Sequence, residues 1–254
     1  MTNNENLENI STEDVYSNTV SNKDRTSVGK KVTFNTASVK DYATSEAYKT
    51  FRTNLFFCGN DIKTIVITSC REGEGKSTVS TELAKSLAEN GKRTLLIDAD
   101  MRKSVMLKKR NVYAGEVLGL SEILSGICNV NEALYNTQLE GFDVIFSGPF
   151  PPNPVELMAS NLSKLLESLK ESYDYIIIDS PPLGQVIDAA VIATCCDAAI
   201  MVISNKKTNR RVAINVKNQL QKSGCRILGA VLNEIEKGAS YNRNKYYGKY
   251  MYKY

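Results

Sequence analysis

The stretch Ile65-Val66-Ile67-Thr68-Ser69-Cys70-Arg71-Glu72-Gly73-Glu74-Gly75-Lys76-Ser77-Thr78 decides the fold. It opens with a β-branched apolar run, which reads as a buried strand. The run breaks into a glycine-containing turn. Val79, Leu83 and Leu87 then recur at a spacing of four, the mark of a helix. Glycines let backbone N–H groups crowd round a phosphate, and the start of a helix adds its partial positive charge. In the pattern G-x-x-x-x-G-K-[ST] the lysine reaches the β/γ-phosphates and the hydroxyl binds Mg²⁺. Those roles fall to Lys76 and Ser77, with Gly73, Glu74, Gly75 and Thr78 completing a nucleotide-binding loop. Cys70 stands where the first glycine of the pattern belongs. The strand before and the helix after distinguish this loop from a plain surface turn.

Outward from the loop the chain alternates strand and helix. The strand candidates are Thr64–Thr68, Thr94–Asp98, Asp143–Ser147, Tyr175–Asp179, Ala198–Ser204 and Arg226–Leu232. Helices lie between them, among them Lys76–Asn90, Pro154–Glu171 and Thr208–Lys222. Strands that are apolar throughout and separated by helices predict an α/β fold with a mostly parallel central sheet and helices on both faces. Upstream, Ser45 reads as the N-cap of a further helix, with Ala47, Phe51 and Leu55 facing the core and Glu46, Lys49 and Arg52 on another side. Residues 1–41 are rich in Asn, Ser, Thr and charge and read as a flexible N-terminal tail. The folded domain is expected over 42–237 and a biased C-terminal tail over 238–254. From Tyr241 to Tyr254 the tail holds six of the thirteen tyrosines, four basic residues and no acidic one.

Composition narrows the chemistry. The net charge of +4 is too mild to argue for nucleic acid, and none is expected as a partner. No run reaches the ~18 apolar residues of a membrane span. The nearest, Val186 to Ile203, carries Asp188 and Asp197 and reads as a buried helix followed by a strand. The start of the chain lacks the layout of a signal peptide. Six cysteines without a C-x-x-C read as reduced, mostly buried thiols in the cytoplasm. The absence of histidine excludes His-based catalysis and His metal sites.

Two further strands end in acids, at Ile97-Asp98-Ala99-Asp100-Met101-Arg102 and at Ile178-Asp179-Ser180-Pro181-Pro182. In open parallel sheets ligands bind beyond the carboxyl ends of the strands, so Asp98, Asp100 and Asp179 should converge on the phosphate loop. Carboxylates suit a Mg²⁺ shell and also accept a hydroxyl proton. Either Asp98 or Asp100 can take that proton, being two residues apart at one strand end.

With these motifs in place, residues 42–254 resemble the bacterial protein-tyrosine kinases of capsule and exopolysaccharide synthesis. These are P-loop NTPases of the deviant-Walker class, alongside the partition and cell-division ATPases. Apolar residues followed by D-x-D-x-R resemble the extra Walker motif of these kinases, and Asp179-Ser180-Pro181-Pro182 their Walker B end. The run from Gly148 through Asn153 and Pro154, with Glu156-Leu157, resembles their middle segment. The resemblance implies ATP and Mg²⁺ as cofactors. Lys76 would hold the phosphates, Asp98 would act as base or near-metal acid, and Ser77, Asp98, Asp100 and Asp179 would form the metal shell. Asn233 would recognise the adenine edge. It further implies autophosphorylation at Tyr241, Tyr246, Tyr247, Tyr250, Tyr252 and Tyr254, between subunits. Glu46, Lys49 and Arg52 fall on the family's E-x-x-R-x-x-R motif for assembly into homo-oligomeric rings, with Lys49 in place of an arginine. The implied partners are a separate membrane-embedded polysaccharide copolymerase that activates the kinase and a cognate tyrosine phosphatase. The implied location is cytoplasmic, peripheral at the inner face of the membrane through that partner. The main competing reading is a partition or division ATPase acting as a nucleotide-gated switch. Such ATPases carry a first loop lysine where this chain has Arg71, and that reading leaves the tyrosine tail unused. A nucleotide-sensing scaffold and a small-molecule kinase are weaker alternatives.

Overall fold

A computed structural model describes residues 30–33, 42–106 and 117–235. Tyr241 to Tyr254, and most of the 1–41 segment, lie outside the described residues. Eight strands form one sheet: β1 (Lys30–Val32), β2 (Thr64–Ser69), β3 (Thr94–Asp98), β4 (Leu134–Thr137), β5 (Phe142–Ile145), β6 (Tyr175–Asp179), β7 (Ala198–Ser204) and β8 (Arg226–Asn233). Their spatial order is β1-β4-β5-β3-β6-β2-β7-β8. Every pairing is parallel except β4 with β5.

Alternation within the apolar strands feeds two cores. Ile65 and Ile67 of β2, Leu96 of β3 and Ile177 of β6 face one side. They meet α1 (Tyr42–Phe56) and α2 (Lys76–Ala88) through Leu55, Val79, Leu83 and Leu87. Val66, Leu95, Ile97, Ile176 and Ile178 face the other side. There lie the short helices α3 (Leu120–Leu124) and α4 (Val130–Ala133), then α5 (Pro154–Lys170), α6 (Asp188–Thr194) and α7 (Arg210–Gln221). In α5 the buried stripe Met158, Leu162, Leu165, Leu166 and Leu169 follows helical spacing, and Pro154 starts the helix where its missing N–H costs nothing.

The structure corrects several expectations. Lys30–Val32, placed in a flexible tail by composition, forms β1 on β4, with Val32 in the core and Lys30 Nζ 5.7 Å from the Tyr135 ring centre. Neither β1 nor β4 has a run long enough to show as a strand; pairing alone makes them. α1 begins at Tyr42, so Ser45 is inside the helix and not its N-cap. Ala47 is exposed, and Tyr48, Phe51 and Leu55 turn inward instead. The fifth strand is Phe142–Ile145, two residues short of the expected end at Ser147.

Candidate active site

β2 delivers the chain into the loop at the carboxyl edge of the sheet. Gly73 and Gly75 have φ of 75° and 90°, a region open mainly to glycine. Gly75 immediately precedes α2, and no side chain caps that helix. Its first N–H groups are therefore available to an anion.

The Glu74 side chain turns the other way. Its Oε2 accepts from the backbone N–H of Cys70 (2.7 Å) and Arg71 (2.8 Å). Its Oε1 accepts from the Ser204 N–H (3.4 Å) and from the Thr208 hydroxyl. The carboxylate is fully buried, so Glu74 shapes the loop from within and offers a nucleotide only its backbone. Asn233, at the end of β8, donates from Nδ2 to the Glu74 carbonyl at 2.9 Å. A Cβ on Gly75 would lie 2.1 Å from that nitrogen, so a side chain there would push the Asn233 amide off the loop and would also be strained by the φ of 90°. Arg71 is exposed.

The acids meet beside the loop because β2, β6 and β3 are neighbours. Asp98 sits opposite Asp179 in the β3–β6 register, and Asp179 is opposite Ile67 on β2. Lys76 Nζ lies 2.9 Å from Asp100 Oδ2 and 3.7 Å from Asp179 Oδ2. Asp98 accepts from the Asp100 N–H (3.1 Å) and the Ser104 hydroxyl (2.5 Å). Asp179 accepts from the Ser80 hydroxyl at 3.1 Å through Oδ1, while its Oδ2 is buried without a hydrogen bond. Burial, then the neighbouring Asp179 charge, pushes the Asp98 carboxyl up to about 7. Burial also raises the Asp179 carboxyl. For Lys76 burial works against the charge, but Asp179 and Asp100 outweigh it and the ammonium is held more firmly than usual.

A cleft of about 430 Å³ opens over this cluster, lined by Gly75, Lys76, Ser77, Asp100, Arg102 and Gln185 among others. Asp100 faces the cleft; Asp98 lies beneath it, fully buried under Ser104. Glu72 and Lys103 form an exposed ion pair at 2.6 Å. Among the described residues no three acids are already close enough to cage a metal ion. Mg²⁺ does not require such a cage, since it keeps waters and takes one or two carboxylates with the phosphates. The lone Asp179 Oδ2, the Ser77 hydroxyl and Asp100 fit that donor set.

Away from the loop, Glu46 and Lys49 pair with each other at 2.8 Å on the exposed face of α1. Arg52 leaves that face and donates to the Ser86 carbonyl of α2 at 2.8 Å. Some site residues carried no sequence signal. Ser80, Ser104 and Thr208 belong to no motif, yet each hydroxyl holds a buried carboxylate. Arg102 was visible in D-x-D-x-R, but its partner Asp188, at 2.8 Å, was not.

A family profile described as an AAA domain matches residues 62–222. The tyrosine-protein kinase CpsD of Streptococcus agalactiae is 43% identical over 208 residues, covering 81% of this chain and 90% of that protein. The tyrosine-protein kinase YwqD of Bacillus subtilis (strain 168) is 36% identical over 209 residues, covering 81% and 86%. Among solved structures, the chimerical protein CapA2B2 superposes with a TM-score of 0.74 at 29% identity, covering 89% of this chain and all of that one (100%). The septum site-determining protein MinD of Pyrococcus horikoshii OT3, complexed with Mg-ADP, gives 0.57 at 27% identity, covering 71% and 76%. With a phosphate loop facing three strand-end acids, and with this identity along nearly the whole length of CpsD, the chain belongs to the bacterial tyrosine-protein kinases of the P-loop class.

Proposed function

We propose that this protein transfers the γ-phosphoryl group of ATP to tyrosines of its own C-terminal segment, between subunits, and thereby regulates capsular or exopolysaccharide synthesis and export. The observation that carries this is the convergence of Lys76, Asp98, Asp100 and Asp179 beside an uncapped helix start. Phosphoryl transfer needs positioning and charge neutralisation more than covalent help. The loop amides and Lys76 would hold the phosphates. Ser77, Asp100 and Asp179 would hold Mg²⁺, partly through water, and when bound that ion would offset charge on the phosphates. Asp98, which takes up protons near neutral pH, suits the acceptor of the tyrosine proton. Ser104 must release it first, because their hydrogen bond covers the carboxylate. Asn233 already serves the loop, and a contact to adenine would be a second task.

The tail is the proposed substrate because Tyr241, Tyr246, Tyr247, Tyr250, Tyr252 and Tyr254 are clustered among four basic residues with no acid between them, a charge that would favour approach to a bound nucleotide's phosphates. Each phosphate adds about −1.5 to −2 charge, so modification would convert a docking tail into a repelled one. Equal oligomer mass for phosphorylated and dephosphorylated protein, by light scattering, would refute such a switch. The proposed activator is a membrane-embedded copolymerase, which would hold the kinase at the inner face of the membrane; a cognate phosphatase would reset the tail. Among the described residues no helix is long and apolar enough to cross a membrane.

Intact mass after incubation with Mg-ATP tests the reading, with and without a cytoplasmic peptide of the membrane partner. Phosphate additions that require Lys76 and vanish on truncation before Tyr241 support it. ATP hydrolysis without additions, even with the activating peptide, would move the protein to the switch-type ATPases.

A further inference from the structure

The phosphate loop is held from outside as well as from within. Lys207, in the turn after β7, donates from Nζ to the Gly73 carbonyl at 2.6 Å and pairs with Glu234 Oε1 at 3.1 Å. The other oxygen of Glu234 accepts from the Ser204 hydroxyl. That hydroxyl in turn accepts from the N–H groups of Lys206 and Lys207, each at 3.2 Å. The Asn205 N–H donates to the Asn233 carbonyl at 3.0 Å. Glu234 adopts φ of 57°, a left-handed conformation uncommon outside glycine. The ends of β7 and β8 are thus tied to each other, and Lys207 ties both to the loop.

We infer that Lys207 is a positioning residue for nucleotide binding, acting through the Gly73 carbonyl and itself oriented by Glu234. In a planar trans peptide the carbonyl and the following N–H point in opposite directions. Drawing the Gly73 oxygen toward Lys207 therefore turns the Glu74 N–H to the far side of the loop. Gly73 has no side chain to resist rotation of this peptide, so an external partner is needed to fix it. Nothing in the phosphate-loop pattern marks Lys207, which lies 131 positions beyond Lys76 (207 − 76). Glu234 adds a link of another kind, because in sequence it lies seven positions before Tyr241, the first tyrosine of the C-terminal segment.

This inference rests on nucleotide binding at the loop, and its test separates the two. Calorimetric titration with MgADP is run on the unaltered chain, Lys207→Met, Lys207→Arg, Glu234→Gln and the double variant Lys207→Met/Glu234→Gln. The expected result is about tenfold weaker binding for Lys207→Met, the loss of one charge-assisted hydrogen bond. Lys207→Arg restores most of it. Glu234→Gln weakens binding several-fold, and the double variant is no weaker than Lys207→Met. Melting midpoints of the nucleotide-free variants fall by no more than the loss of one exposed hydrogen bond, and all remain folded at the titration temperature. Equal affinity for Lys207→Met overturns the inference. So does tighter binding by Glu234→Gln, which would mean that the lysine charge meets phosphate directly. Lowered nucleotide-free midpoints that account for the lost affinity overturn it too. If the unaltered chain itself does not bind MgADP, the nucleotide reading falls and takes this one with it.

Discussion

Two lysine–carboxylate pairs in this molecule have nearly the same length and opposite meaning. Lys76 and Asp100 stand 2.9 Å apart with side chains only 10% and 7% exposed. Lys49 and Glu46 stand 2.8 Å apart at 56% and 43%. On the surface of α1, water solvates both charges and each side chain gives up rotamer freedom to meet the other, so such pairs contribute little. In the cleft, Asp179 adds a second buried carboxylate 3.7 Å from Lys76, and removing the cation leaves those charges uncompensated. Distance does not rank the two pairs. Burial does, and burial follows from the neighbouring β3, β6 and β2 strands that bring the acids to one place.

The sharpest way to break this contrast is Lys76→Met. MgADP affinity and tyrosine phosphorylation should fall about a hundredfold or more, as for other charge-stabilising groups in a dry site. Loss of only a few-fold would make the buried pair structural. Comparable in size but confined to transfer, Asp98→Asn should lower phosphoryl transfer by about 10²-fold or more while MgADP binding is kept, if Asp98 accepts the proton. Loss of transfer with retained binding in Asp100→Asn instead would give that role to the acid that faces the cleft.

The pH dependence of stability sharpens the buried side further. Asp98 titrates near 3.8 ordinarily and at about 7 in the fold, so the native state binds this proton more tightly than the unfolded one. Its contribution is complete below 3.8 and is lost as pH rises through about 7. The nucleotide-free melting midpoint should therefore fall between pH 5 and pH 8, and Asp98→Asn should flatten that slope. A midpoint rising with pH, unaltered by the substitution, would contradict the assignment. The smallest effect belongs to the surface pair. Lys49→Ala should leave the monomer's melting midpoint unchanged, so any drop in oligomer mass would report assembly alone. Arg52→Ala does not offer the same clean test, because it removes a hydrogen bond to α2 worth about 1 kcal/mol.

The sequence showed the central strands and the site edge clearly because both have simple causes. β2, β3 and β6 are buried on both faces, so every residue reports the same state, and their acids mark where the strands emerge. β1 and β4 stayed hidden because Lys30–Val32 and Leu134–Thr137 hold no run that specifies a strand. In α1 the four-residue spacing of Ala47, Phe51 and Leu55 misled by one position: Ala47 is exposed and Tyr48 is the residue turned inward. At the site, Lys76, Ser77, Asp98, Asp100 and Asp179 were legible by position. The direction of the Glu74 carboxylate was not, since loop patterns describe the face that meets the ligand and not the face that meets the core. Thr208 and Lys207 meet the loop across 134 positions of chain that only the three-dimensional structure brings together, and Ser104, six positions after Asp98, belongs to no pattern.

The missing cap on α2 has a consequence for handling the protein. A helix with no side-chain cap at its first turn is unfinished, and an anion supplies what the sequence withholds. The nucleotide is then part of the architecture as well as a reactant. Buffer composition becomes a structural variable: phosphate, sulfate or pyrophosphate should each raise the melting midpoint in proportion to how well it fills the loop. Stability measured in such buffers describes a partly finished helix, and comparison between variants is sound only when the anion is held constant.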